Sequence, residues 1–227
     1  MANSPPAELD DAYWQVEQYY TQKLRRYGPT PLGVDWSCVP TQALRFRKLL
    51  ALCNFDVPFS LNDVGCGYGA LLDYLGLYHP QSSIDYLGVD LSSAMIRRAK
   101  KRWAGDLIQF HHGRESPRPA DYSIASGIFN VMLDQPIPVW ERLIETTLSH
   151  LSSTSCKGFA VNFVHLPNPG ERAKAGLYCA NPMQWIDFCE KSLSSEVHLI
   201  DDYGMSEFTL LIRPIRTLSG NQRRFRT

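Results

Sequence analysis

Three glycines within five residues, Gly65-Cys66-Gly67-Tyr68-Gly69, separate a short apolar run from a helical one. Nothing else in the chain constrains its fold as much. Ser60–Val64 reads as a strand and Ala70–Tyr78 as the helix that follows it. The loop between them has to turn sharply and let its backbone come close to whatever it holds. Glycine allows both, because no Cβ stands in the way. In an open α/β sheet such a loop lies beyond the C-terminal ends of the strands, where ligands rest. The next strand, Ile84–Val89, runs into Asp90, twenty-one residues after Gly69. A carboxylate at that strand end accepts the two hydroxyls of a ribose. Strand, loop, helix, strand and acid together spell a nucleoside site.

The alternation continues along the chain. Ser93–Trp103 is expected as a helix, Leu107–His111 and Tyr122–Ala125 as strands, and Val139–Leu151 as a helix. Gly158–Val164 is then a strand and Pro182–Leu193 a helix, the pattern of a doubly wound, mostly parallel sheet. The end breaks the rhythm: Val197–Asp201 and Glu207–Arg213 flank Gly204 and predict a hairpin with one antiparallel strand. Ahead of the sheet, Asp10–Arg26 and Thr41–Asn54 are helical, joined by a loop at Thr30–Ser37. These boundaries divide the chain into a helical cap at 1–58, a sheet core at 59–215 and a tail at 216–227 with Arg223, Arg224 and Arg226.

Composition narrows the class. The chain has 227 residues with 23 Lys plus Arg and 23 Asp plus Glu, a formal net charge of zero. A general nucleic-acid binder would show a basic excess. No apolar run approaches the ~20 residues that a membrane span needs, and the polar start MANSPPAELDD does not suit a signal peptide. Six scattered cysteines without a C-x-x-C pair predict reduced thiols and no zinc or other metal. The expectation is a soluble cytoplasmic enzyme with no nucleic-acid or membrane partner.

Two ligands compete for the glycine loop, because Gly65-x-Gly67-x-x-Ala70 also fits a dinucleotide fingerprint. Asp63 separates them. A carboxylate two residues before the first glycine repels a pyrophosphate at the helix N-terminus. It suits a ligand that has an ammonium or sulfonium and no phosphate, as S-adenosylmethionine does. Asp63-x-Gly65-x-Gly67-x-Gly69 followed by Gly88-Val89-Asp90 resembles the first two motifs of class I S-adenosylmethionine-dependent methyltransferases, over roughly residues 40 to 213. The resemblance implies a Rossmann-like, seven-stranded sheet whose terminal strand is antiparallel, with the cofactor's methionine part on the Gly65–Gly69 loop (Cys66 included) and its ribose at Asp90 and Leu91. Phe110-His-His-Gly113 is similar to the third motif, although Arg114 stands where an acid is usual and Glu115 follows. Ala125-Ser126-Gly127-Ile128-Phe129-Asn130 is similar to the fourth-strand motif beside the methionine moiety and the acceptor. The resemblance also implies an N-terminal segment folded over the cofactor, with Tyr20 and Trp36 from the cluster Tyr13, Trp14, Tyr19, Tyr20 and Trp36, and Arg45 at the methionine carboxylate.

Candidates for chemistry lie just beyond strand ends. Asn130 follows the fourth strand; Asn162 interrupts the apolar Phe159–Val164, and a buried amide there must find a partner. His165 follows the same strand and is the histidine placed as a general base. Tyr203 and Ser206 flank the terminal turn, and Tyr178, with Glu171, Arg172 and Lys174, belongs to a 167–181 insertion expected as a lid. No acid–base pair has diagnostic spacing, which accords with a transfer that relies mainly on alignment. The expected function is methyl transfer to an oxygen or nitrogen of a small metabolite. A cyclisation of the cofactor to azetidine-2-carboxylate and methylthioadenosine, and non-catalytic binding of the cofactor, are the alternatives.

Overall fold

The computed structural model describes residues 7–167, 175–202 and 204–215. Tyr203, Glu171, Arg172, Lys174 and the tail from 216 lie outside the described residues. The element order is α1 (Ala7–Tyr27), α2 (Val39–Leu49), β1 (Phe59–Val64), α3 (Ala70–Tyr78), β2 (Ile84–Asp90), α4 (Ser93–Arg102), β3 (Ile108–His112) and β4 (Ala120–Ala125). It continues with α5 (Ile137–Thr154), β5 (Ser155–His165), β6 (Cys179–Ala180), α6 (Pro182–Ser192), β7 (Ser195–Ile200) and β8 (Glu207–Pro214).

The strands form one sheet in the order β3-β2-β1-β4-β5-β8-β7, with β6 paired to β5 off that path. β1, β2, β3, β4 and β5 run parallel, and β8 runs antiparallel to both β5 and β7. The doubly wound sheet expected from the sequence is therefore present, and its antiparallel strand is inserted between β5 and β7. The two-residue β6 adds a strand to the seven expected. It pairs Cys179 and Ala180 with the end of β5, where apolar periodicity is too short to signal a strand. The central strands are buried on both faces, as parallel strands covered by helices must be. One core layer gathers Trp140, Leu148, Phe163 and Trp185, and the other gathers Leu49, Leu61, Leu71 and Met95.

Local chemistry explains the element ends. Ser92 caps α4, its Oγ accepting from Met95 N at 3.3 Å, and Asn181 caps α6 by accepting from Met183 N at 3.0 Å. Pro40 in the first turn lets α2 begin two residues before the expected Thr41, since its missing N–H is unpaired there in any case. The Thr30–Ser37 loop holds a 3-10 turn at Pro31–Val34. It ends on Asp35, whose carboxylate takes the Tyr19 hydroxyl and the Lys23 ammonium and so ties the turn to α1. All six cysteines are free thiols. Among the described residues no helix is long and apolar enough to cross a membrane, and no group of ligands gathers that could hold a metal ion.

Candidate cofactor and acceptor site

Beyond the C-terminal ends of β1, β2 and β4 lies a cavity of about 1050 Å³, counted with its open mouth. Its floor is the glycine loop. Gly65 N and Cys66 N donate to Val89 O at 2.8 and 3.0 Å, which folds the loop back onto β2. Gly65 has a φ of +78°, and a Cβ there would run into the Ile128 side chain, so both backbone and space demand glycine. Asp90 fastens the floor to its neighbour: its carboxylate accepts Gly67 N at 2.8 Å and Ser92 N at 2.7 Å.

The roof comes from the N-terminal helices. α1 offers Tyr13, Val16, Glu17 and Tyr20, spaced so that they share one helical face. α1 is pinned across the cavity by Thr21 Oγ1 and Ser92 Oγ, 2.6 Å apart, and by the Asp10–Arg114 ion pair at 2.9 Å. The Arg114 guanidinium also lies 5.2 Å from the Tyr13 ring centre. Val34 from the 3-10 turn, Trp36 from the loop after it, and Gln42 and Phe46 from α2 complete the cover.

Electrostatics give the cavity its character. Asp63, 3% exposed, accepts the Tyr86 hydroxyl at 2.7 Å, yet burial pushes its carboxyl up to about 7, with the nearby Asp90 adding to the rise. Burial likewise raises Asp90 to about 6 against the lowering effect of its two backbone donors, and Glu17 contributes to the rise. Three carboxylates thus face the cavity, and the one guanidinium in its wall, Arg114, is already paired with Asp10. Such a wall suits a cationic ligand and repels a phosphate.

Of the residues expected to bind the cofactor, Tyr20, Trp36, Asp63, Gly65, Cys66, Gly67, Asp90, Leu91, Gly113, Arg114, Ser126 and Gly127 line the cavity. Three stand back from it. Gly69 forms the left-handed start of α3. Glu115 faces outward, with an oxygen 3.9 Å from His150 Nδ1. Arg45, expected at a ligand carboxylate, is instead buried in an ion pair with Glu207.

None of the catalytic candidates Asn130, Asn162, His165, Tyr178 and Ser206 lines the cavity, and Ser206 is exposed. Asn162 is wholly buried; its Oδ1 accepts Gly127 N at 2.7 Å and its Nδ2 donates to Glu207 Oε2 at 3.2 Å. Tyr178 donates its hydroxyl to Glu141 at 3.0 Å, and its backbone N donates to Asn130 O at 2.9 Å. His165 packs its ring 4.8 Å from that of Phe208, while its backbone N donates to Ser206 O at 2.9 Å. The structure thus joins Asn162 to the cavity wall through the Gly127 backbone, and the described wall contains no histidine. Sequence reasoning missed Glu17, Gln42 and Thr147. Glu17 falls inside the stripe of Tyr13, Val16 and Tyr20, and a charge within an apolar helical stripe was the available signal. Gln42 lies one turn before Arg45 on α2; its amide lines the cavity, whereas the Arg45 guanidinium is held by Glu207.

Comparison with known proteins agrees with this geometry. A family model described as "Methyltransferase domain" matches residues 62–153, the span from β1 to the end of α5 that holds the glycine loop, Asp90 and the β4 turn. Rv1506c of Mycobacterium tuberculosis, named as a methyltransferase, is 41% identical over 165 residues, covering 72% of this chain and 98% of that protein. Human N-acetylserotonin methyltransferase in complex with its S-adenosylmethionine superposes with a TM-score of 0.61 at 17% identity, over 93% of this chain and 60% of that one. Magnesium protoporphyrin IX methyltransferase from Synechocystis PCC 6803, also with S-adenosylmethionine bound, gives 0.63 at 14% identity over 94% of this chain and 100% of that one. These two likenesses show the fold, whereas the mycobacterial relative shows the family: the chain belongs to the class I S-adenosylmethionine-dependent methyltransferases.

Proposed function

We propose that the chain moves the methyl group of S-adenosylmethionine to an oxygen or nitrogen of a small metabolite, in the cytoplasm. The observation that carries this reading is the wall of three carboxylates with no unpaired cation. When bound, S-adenosylmethionine supplies an electrophilic methyl: the acceptor's electron pair forms the new bond, the S–C pair returns to sulfur, and S-adenosylhomocysteine and a proton leave. Asp90 is assigned to the ribose hydroxyls, and the loop Gly65–Gly67 with Asp63 to the methionine part. Gln42 takes the position beside the methionine carboxylate that Arg45 gives up to Glu207. Leu91, Gly113 and Arg114 bound the adenine end. Ser126, Gly127 and Trp36 bound the methyl.

The reading needs no general base in the wall. A sulfonium is a reactive leaving group, and holding acceptor and methyl in line contributes most of the rate. The acceptor's proton then passes to water. The cover that α1 and the 3-10 turn lay over the cavity supports a small acceptor. Six free thiols support the cytoplasmic setting. The test is incubation of the purified chain with methyl-labelled S-adenosylmethionine, with and without a deproteinised cell extract. The expected result is S-adenosylhomocysteine and labelled small molecules only when extract is present. Methylthioadenosine formed without extract would overturn methyl transfer.

A further inference from the structure

We propose that Arg45, Ser126, Gly127 and Asn130 form the seat of a flat aromatic acceptor bearing a neutral ring hydroxyl, and that the Trp36 indole fills this seat in the present structure. The inference rests on the methyl-transfer reading above and deepens it to a substrate class. The Arg45 guanidinium carbon lies 3.9 Å from the centre of the Trp36 ring. The edge of the same ring presses on Gly127, whose φ is +73°, in the space a Cβ would take, and Asn130 Nδ2 lies 3.5 Å from that point. A planar ring thus already fits there, stacked on a cation and flush against a glycine backbone.

What the indole does not satisfy defines the ligand. Arg45 Nη1, Ser126 Oγ and Asn130 Oδ1 are shielded from solvent and have no hydrogen-bond partner. Arg45 is 7% exposed and Asn130 5%. Buried polar groups are nearly always paired, so an orphan on Arg45, which stacks on the ring, and orphans on Ser126 and Asn130, beside Gly127, indicate a missing partner. A ring hydroxyl suits this seat: lying in the ring plane, it donates its O–H to Asn130 Oδ1 or Ser126 Oγ, while the guanidinium that carries the unpaired Nη1 stays stacked on the ring face. The Glu207 carboxylate, bound to Arg45 Nε at 2.6 Å, cancels the guanidinium charge, so a neutral hydroxyl fits better than a carboxylate.

The seat is fixed and its occupant is not. Asn162 is held at both ends, by Gly127 N and by Glu207, so the Gly127 backbone is fastened to β5 and β8. Trp36 is only partly buried and stands on a loop between the 3-10 turn and α2. Ser126, Gly127 and Trp36 also line the cofactor cavity, so an emptied seat opens onto the methyl position.

The test uses the full chain, with p-cresol as the probe and 4-methylcyclohexanol as its non-aromatic counterpart. S-Adenosylhomocysteine is titrated first onto the wild type by calorimetry; failure to bind sinks the methyl-transfer reading, and the seat is then judged without it. Trp36→Ala is expected to bind p-cresol at least tenfold more tightly than the wild type and at least tenfold more tightly than it binds 4-methylcyclohexanol. Adding Arg45→Met with Glu207→Gln, a neutral pair, should erase that gain. If this variant does not fold, Ser126→Ala with Asn130→Ala in the Trp36→Ala background serves the same purpose. Equal affinity for the two probes, or a gain that survives loss of the seat's polar groups, overturns the proposal and leaves only an apolar hole.

Discussion

The two sides of the cavity handle charge in opposite ways. Beside β1 and β2, the carboxylates of Asp63, Asp90 and Glu17 face the space with no cation between them, and burial lifts the first two to about 7 and about 6. Beside β4, β5 and β8, Arg45, Glu207, Asn162 and the Gly127 N–H close on one another in a buried chain of hydrogen bonds. One side therefore holds charge in reserve for a ligand, and the other uses charge to fix its own shape. Removing a residue from the first should weaken binding, whereas removing one from the second should weaken the fold.

The largest effect tests the second half of that contrast. Glu207→Ala strands Arg45 as an unpaired cation in the core, and breaking a buried pair in this way costs about 3–5 kcal/mol. Urea unfolding should show that loss. Replacing both partners, as in Arg45→Met with Glu207→Leu, should recover most of it, because two apolar groups leave no orphan charge. A single-variant cost below about 1 kcal/mol, the level of an exposed pair, would show that the network does not support the fold.

Next in size is Asp90→Ala, which addresses the ligand side. Each charge-assisted hydrogen bond to the ribose is worth about 1.5–3 kcal/mol, so losing one weakens S-adenosylmethionine binding by roughly 10- to 150-fold. The same substitution removes the acceptor for Gly67 N and Ser92 N. The unfolding midpoint should be followed together with the affinity. Unchanged affinity in a folded variant removes Asp90 from the site.

The contrast also explains what the sequence could show. Asp63, the glycine loop and Asp90 lie within 28 consecutive residues, and strand–turn–helix geometry alone brings them together. The doubly wound sheet was legible for the same reason, since each βα step is a local pattern. Arg45 and Glu207 are 162 positions apart, so nothing near either residue announces the other. Arg45 looked available because a helix arginine normally is; β8 passing beneath α2 took it. Asn162 stood out as an amide in an apolar strand, but its role as the link between Gly127 and Glu207 became visible only once β4, β5 and β8 were adjacent. β6 is two residues long, too short for any periodicity to reveal.

The smallest effect concerns the reserve of charge itself. In the free chain the raised carboxyls of Asp63 and Asp90 are largely protonated at pH 5.5 and largely ionised at pH 8. A ligand carrying a sulfonium and an ammonium binds the ionised wall better, so protons compete with it. The affinity for S-adenosylmethionine should therefore rise as pH increases from 5.5 through about 7 and then level off. A rise of about tenfold corresponds to one pKa unit of preference, roughly 1.4 kcal/mol. S-Adenosylhomocysteine keeps the ammonium and lacks the sulfonium, so its affinity should rise less steeply over the same range. Asp63→Asn should flatten the upper part of the curve, where the group titrating near 7 acts, and leave the lower part to Asp90. Calorimetric titrations of both ligands at half-unit pH steps separate the cases. Parallel slopes for the two ligands would mean that the wall reads the amino acid end alone. An affinity that falls with pH would mean that the carboxylates do not face the ligand's positive charge.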